Sequence, residues 1–251
     1  MPGGNFEINS NHPNNDTGVP SESLDLAEEN YGWPEAGRAE RARIFRRYWN
    51  YQEGLIWLLQ NDPEVPENIR KDAQPWGFPK DEFTDNRGRP HHIYVRQGRR
   101  IWGEHTVTEN DAKLLENTGL PAHKPDGIAI AEYPFDSHAV SRFDPAYPLL
   151  RPGYFYVEHE PFQIPYRSLV PKTVDGLLVP VACSASHVGY QTIRMEPVFM
   201  ALGEASGIAA AQAAAAKVEL RKIDVADLQR EILKRGGVIF YEGTAKRPQG
   251  L

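Results

Sequence analysis

The chain has 251 residues, hydrophobic and charged contents ordinary for a globular protein, and a formal net charge of −6. That length buries a real core in one or two domains. The acidic balance argues against a general nucleic-acid binder, and the single cysteine, Cys183, excludes an internal disulfide framework and a multi-cysteine zinc site.

Met1 to Trp33 is rich in Asn, Gly, Pro and Ser and has neither a helical nor a strand period. It reads as loop: a disordered tail by composition, or an ordered loop of a larger site. No apolar run marks Met1 to Pro20 as a signal peptide. Glu35 to Asn61 is the first clear helix, with Ile44, Phe45, Tyr48, Tyr51, Leu55 and Leu58 at helical spacing. Pro63 and Pro66 end it, and Glu67 to Ala73 makes a short second helix. Trp76 to Arg89 is turn-rich.

His91 to Trp102 combines a short strand-like run with Arg96, Arg99 and Arg100. Guanidinium forks match carboxylates and other anions, so these three arginines mark a candidate substrate side. Surface salt bridging accounts for at least one of them. His91, His92 and His105 have no metal-ligand spacing, and no metal site is expected. Thr108 and Asp111 have the pattern of a helix cap. Leu114 to Asp126 reads as loop.

Gly127 to Tyr133 is a plausible strand that runs into a loop holding Asp136 and His138. A carboxylate two residues from an imidazole can orient it and raise its basicity, which makes a site edge there. Tyr154 to His159 and Phe162 to Leu169 read as two more strands, with Pro165 demoting the second to an edge or a bend.

The chain is organised around Gly176 to Ala216. Leu177 to Val181 reads as a strand buried on both faces. Cys183 to Arg194 reads as a polar loop. Pro197 then opens a helix of small residues, in which Gly203 and Gly207 let a backbone or flat ligand come close. The N-terminus of that helix favours an electron-rich group. The same segment carries Glu204, Ser206 and Gln212 and is alanine-rich, so no membrane span is expected. Asp224 caps a last helix with Val225, Leu228, Ile232 and Leu233 inward and Gly236 at its end. Cys183 reads as a small apolar residue. Gly243 to Leu251 reads as a frayed tail.

IPYRSLVPK and DGLLVPVACSASHVGYQTIRMEPVFMALGEASGIAAA resemble the C-terminal half of FAD-dependent oxidoreductases of the glutathione-reductase-like kind. GGNFEINSNH, NDPEVPENIRKD, WGFPKDEF, YVRQGRRIWGEH and EYPFDSHAV resemble that family's substrate-domain segments, in the same order. The resemblance runs from Gly3 to about Gly237. No G-x-G-x-x-G turn occurs in the chain. The sequence therefore reads as the family without its N-terminal dinucleotide-binding segment: a fragment, a gene start at an internal Met, or a degenerate relative.

The resemblance implies an α/β fold, α+β in this chain. It divides into a substrate-domain portion over 1–171, a strand–helix remnant of the Rossmann-like FAD domain over 172–240, and a tail over 241–251. It implies FAD as cofactor, with weak binding by this chain alone. The expected activity is hydride transfer to flavin from a small polar or sugar-like substrate. The alternative is a non-catalytic remnant or partner module that has lost cofactor binding. His187 is the leading acid/base, with Tyr190 near it and the Asp136–His138 pair second. Ser184, Ser186, Thr192, Ile193, Arg194, Met195 and Glu196 are expected on the flavin side, and Arg96, Arg99 and Arg100 on the substrate side. The expected partner is a small molecule, not nucleic acid or membrane.

Overall fold

The structure is a computed structural model that describes residues 26, 28–138, 140, 146 and 153–241. Most of the N-terminal loop, over 1–25, and the tail, over 243–251, lie outside the described residues. The chain divides into two compact units, Met1–Val95 with His138–Gly153, and Arg96–Ser137 with Tyr154–Leu251. Helices and small antiparallel sheets make it a mixed α and β protein.

The first unit is built on α1 (Arg38–Asn61) and α2 (Glu67–Ala73). Both match the helical spacing in the sequence. Arg70 joins them, its Nη1 donating to the carbonyls of Asp62, Pro63 and Val65. Gln60 Nε2 donates to the carbonyls of Ala73 and Trp76. These bonds satisfy backbone acceptors that the helix ends leave open. Trp49 packs edge-on to Phe78, and Arg89 lies over both rings. Ile44 is the buried residue of α1, and the rest of the predicted apolar stripe is half-buried except Leu58, which is exposed.

In the second unit β1 (Gly127–Ala131) pairs antiparallel with β4 (Phe162–Pro165). Gly127 is required there: a Cβ would stand 2.6 Å from Gln163 Nε2. Gln163 spans the pair's surroundings, accepting from Lys124 N–H and donating to the Ile239 carbonyl. β4 stops at Pro165 and passes into a 3-10 turn at Tyr166–Ser168, so the strand expected to reach Leu169 is shorter. A proline has no N–H to continue the ladder. A second antiparallel pair joins β2 (Phe135–Ser137) and β3 (Phe155–Val157). The predicted loop around Asp136 is thus a strand.

Three helices cover these pairs. α3 (His187–Ile193) packs on β2, α4 (Glu196–Ala216) on β1, and α5 (Val225–Lys234) on α4 and β1. The core joins Ile128, Phe162, Ile164, Leu169, Ile193, Leu202, Leu228 and Ile239. α5 is capped as its sequence predicts, Asp224 accepting from the N–H groups of Ala226 and Asp227, with Gly236 at φ 86° beyond its end. Leu233 departs from the prediction and faces solvent. Thr108 and Asp111 form the predicted reciprocal cap, on a 3-10 turn.

Two central expectations are corrected. Leu177 to Val181 is not a strand: it runs irregularly into a bend, Leu177 and Val181 are exposed, and Val179 N–H bonds the Leu169 carbonyl. An apolar run becomes a strand only where a neighbour completes its ladder. The stretch Cys183 to Arg194 is not a loop either, since α3 begins at His187. Ser186 Oγ accepts from Gly189 N–H and caps it. The small-residue helix forms as expected and ends at Lys217 in the left-handed region, φ 56°. Yet nothing lies within 4 Å of a Cβ at Gly203 or Gly207, so no close packing occurs on that pair. By length and composition α4 is also long and apolar enough to cross a membrane; here Leu202, Ala205, Ile208, Ala209 and Ala213 are buried in the unit.

Candidate functional site

An extended thread positions the site. Ile101 N–H bonds the Ala182 carbonyl, Val107 N–H the Ser184 carbonyl, and Ser186 N–H the Val107 carbonyl. Ala185 thereby bridges Val107 in parallel register and delivers the chain into α3. The first turn of α3 sits directly on Val107, whose carbonyl would be 2.3 Å from a Cβ at Gly189. Only glycine allows that approach. The backbone thus fixes where His187 leaves the thread.

His187 Nε2 lies 2.9 Å from Ser137 Oγ and 3.4 Å from Gln191 Nε2. Ser137 is fully buried in β2, so one edge of the ring points inward although the residue itself is exposed. Partial burial, and then the positive charges of Arg100 and Arg96, hold the His187 pKa below the ordinary histidine value. Both effects favour the neutral imidazole. Gln191 Oε1 is buried without a hydrogen-bond partner. Exchanging the amide's O and N, a choice that hydrogen-bond networks decide, lets that oxygen accept from Nε2–H. In that tautomer Nε2 carries the proton, shared between Ser137 Oγ and the Gln191 oxygen, and Nδ1 keeps a lone pair. Nδ1 has no partner among the described residues.

Beside this pair lies a charged cluster. Asp136 Oδ2 accepts from Arg96 Nη2 at 2.9 Å, Arg194 Nη2 at 2.9 Å and Tyr133 OH at 3.1 Å. Arg96 Nη2 also donates to the Asp136 carbonyl. Arg194 lies over the Tyr133 ring, and burial together with the Asp136 charge raises the Tyr133 pKa. Arg100 is held differently. Its Nε donates to the Ala185 carbonyl at 2.8 Å and its Nη1 to Gln97 Oε1 at 3.0 Å, while its guanidinium stacks 5.0 Å from the Tyr190 ring centroid. Burial pulls its pKa below the usual value.

The structure therefore brings Asp136, His187, Tyr190, Arg194, Arg96 and Arg100 into one unit around β2 and α3. The carboxylate is engaged with arginines, and the partner given to His187 is Ser137 rather than Asp136. His138, one residue past β2, belongs to the first unit and is half-buried. Arg99 is exposed. Tyr190 OH donates to the Val181 carbonyl.

On the expected flavin side, Ser184 pairs its hydroxyl with Thr106 and Ser186 is the cap of α3. Ile193 is a core residue, and Thr192 is fully buried. Met195 is half-buried, and Glu196 is exposed at the first turn of α4. Cys183 is a buried core residue whose thiol burial pushes up to about 12, so it is inert at neutral pH. Among the described residues no group of three His, Cys, Asp or Glu can hold a metal ion. Ser137 and Gln191 were not legible as site residues. A buried serine in a three-residue strand has no local signature, and its partner lies fifty positions away.

A family model for FAD dependent oxidoreductases matches residues 3–232. The chain belongs to the FAD-dependent oxidoreductase family, whose cofactor is FAD. Neither the curated proteins nor the solved structures hold a match to this chain.

The fit of these residues to FAD is tested by the polar atoms the fold leaves over. Thr192 Oγ1 and Arg194 Nε are buried without hydrogen-bond partners. Gly203 and Gly207 leave open space on α4. A charged donor and an unpaired hydroxyl are the kind of groups that would suit the polar edge of a flavin.

Proposed function

We propose that this chain acts in flavin-mediated oxidation of a small polar or sugar-like alcohol, with His187 as the base. The carrying observation is geometric: His187 Nε2 is held by Ser137, and among the described residues Nδ1 has no partner. Bound FAD supplies a hydride acceptor. His187 Nδ1 takes the hydroxyl proton of the substrate as the carbon–oxygen double bond forms and the C–H electron pair leaves with its hydrogen as hydride. Ser137 keeps the ring from turning, which preserves the tautomer that the proton transfer needs. Arg194, anchored on Asp136, keeps positive charge fixed beside the site, where electron-rich groups are stabilised. Thr192, Arg194, Met195 and Glu196 would hold the flavin end. The reading is of a small-molecule enzyme, not a membrane or nucleic-acid protein.

The second reading, a non-catalytic relative, is favoured by the absence of a G-x-G-x-x-G turn from these 251 residues. One experiment separates the two. In protein saturated with FAD, His187→Ala is expected to slow flavin reduction by a candidate alcohol about a hundredfold, the scale of a lost general base, with FAD still bound. Stopped-flow reduction at an unchanged rate removes His187 from the mechanism. Flavin that no alcohol of a broad polyol panel reduces supports the non-catalytic reading.

A further inference from the structure

We infer that the substrate carries a carboxylate and that Arg100 is its seat, an inference that rests on the alcohol-oxidation reading above. Three guanidiniums, Arg96, Arg100 and Arg194, stand around β2 and α3. Asp136 answers two of them. Arg100 is different: among the described residues it forms no ion pair, and its partners are the carbonyls of Ala185 and Gly98, the Gln97 amide oxygen and an aromatic face. A half-buried guanidinium without a counter-charge carries a desolvation cost that an anionic ligand removes. The arrangement is built rather than incidental, because Nε and Nη1 are both tied down and the plane is stacked on Tyr190. That leaves Nη2 without a partner among the described residues, on a group whose orientation is fixed.

Position decides what the anion belongs to. Arg100 bonds the carbonyl of Ala185, two residues before His187, and stacks on Tyr190, three residues after it. In α3 residues three and four apart share a face, so Arg100 flanks the face that presents His187. The charge of Arg100 reaches the imidazole. A carboxylate bound on Arg100 thus sets its own neighbouring hydroxyl-bearing carbon beside the base. The substrate class this defines is the hydroxy acid, sugar acids included, rather than the neutral sugar. A guanidinium fork also accepts phosphate oxygens, so the cofactor's pyrophosphate is the other source of the same chemistry.

The test is titration calorimetry on the full chain with glycolate, L-lactate and D-gluconate, each beside its uncharged counterpart: ethylene glycol, propane-1,2-diol and sorbitol. Inorganic pyrophosphate is the third arm. At least one acid is expected to bind ten or more times tighter than its alcohol, roughly the worth of one charge-assisted contact. Arg100→Gln is expected to abolish that preference and Arg100→Lys to restore part of it. Arg230→Gln, on the exposed face of α5, is expected to leave it unchanged. Acids and alcohols bound alike, no binding by any acid, or a preference that survives Arg100→Gln overturns the inference. So does Arg100-dependent binding of pyrophosphate alone. The two readings fail separately: if alcohols reduce the flavin in a His187-dependent way without needing Arg100, only the carboxylate is lost, and if His187→Ala leaves flavin reduction unchanged, the oxidation reading is lost.

Discussion

Ser137 Oγ and His187 Nε2 meet at 2.9 Å, joining a fully buried strand residue to the first residue of a helix fifty positions on. The bond gives the imidazole one fixed edge and leaves the other nitrogen to chemistry. Ser137→Ala is expected to lower stability by about 1 kcal/mol, the net worth of one hydrogen bond. Flavin reduction is expected to slow about tenfold, less than in His187→Ala, because the base is present but no longer oriented. Urea unfolding and stopped-flow reduction check the two halves. A variant that loses stability yet reduces flavin at the wild-type rate shows that Ser137 is structural only.

The Asp136 carboxylate shares one oxygen between Arg96 and Arg194. Removing it leaves two guanidiniums without their counter-charge in a poorly hydrated place. Asp136→Ala is expected to cost about 3–5 kcal/mol, the usual penalty for stranding a buried partner. Asp136→Asn keeps an acceptor and should cost less. A shift of the urea midpoint at constant slope is the measurement. A loss under about 1 kcal/mol in the alanine variant would mean that the arginines find water or other acceptors.

Acid stability turns on Asp111. Burial alone would raise its pKa, but hydrogen bonds from His105, Lys124 and the Thr108 N–H outweigh it and hold the group at about 2. A depressed carboxylate stabilises the fold above its unfolded pKa and ceases to do so as pH falls through the folded value. The contribution is roughly 2 kcal/mol at neutral pH, and it should fade between about pH 5 and pH 2. Asp111→Asn lacks it at every pH. The stability gap between wild type and variant should therefore narrow on acidification. A gap that stays constant across that window would show that Asp111 acts through packing.

What was legible in the sequence was local. Asp224, and Thr108 with Asp111, could be read as caps because the groups they satisfy lie within three residues. α1, α2, α4 and α5 could be read from composition and breakers such as Pro63 and Pro197. What failed depends on distant chain. Leu177 to Val181 has the composition of a buried strand, but the described fold leaves it irregular and partly exposed, with Leu169 as a backbone partner. α3 hid because Gln191 and Thr192 are polar and buried, so a seven-residue helix carries no apolar stripe. In the candidate site, His187, Asp136, Arg194 and the arginines could be picked out as titratable groups in the sequence. Their actual pairing, His187 with Ser137 and Asp136 with two arginines, is set by how β2 meets α3.

Two sets of glycines make opposite predictions. A Cβ at Gly189 would stand 2.3 Å from the Val107 carbonyl oxygen and 2.7 Å from its carbon. Both are backbone atoms in a paired thread, so neither can turn aside as a side-chain end would. Gly189→Ala is expected to cost about 3 kcal/mol and to lift the start of α3, displacing His187 from Ser137. Gly203 and Gly207 meet nothing within 4 Å. Replacing either by alanine removes the helix penalty of glycine and should leave the chain about 0.5–1 kcal/mol more stable. The same change probes the flavin side of the proposal. If the ring lies against the open face of α4, an added methyl obstructs it, and FAD affinity falls while stability rises. Thermal unfolding without FAD, and flavin fluorescence quenching on titration with FAD, read the two effects separately. Affinity that is unchanged in both Gly203→Ala and Gly207→Ala would place the flavin away from that face.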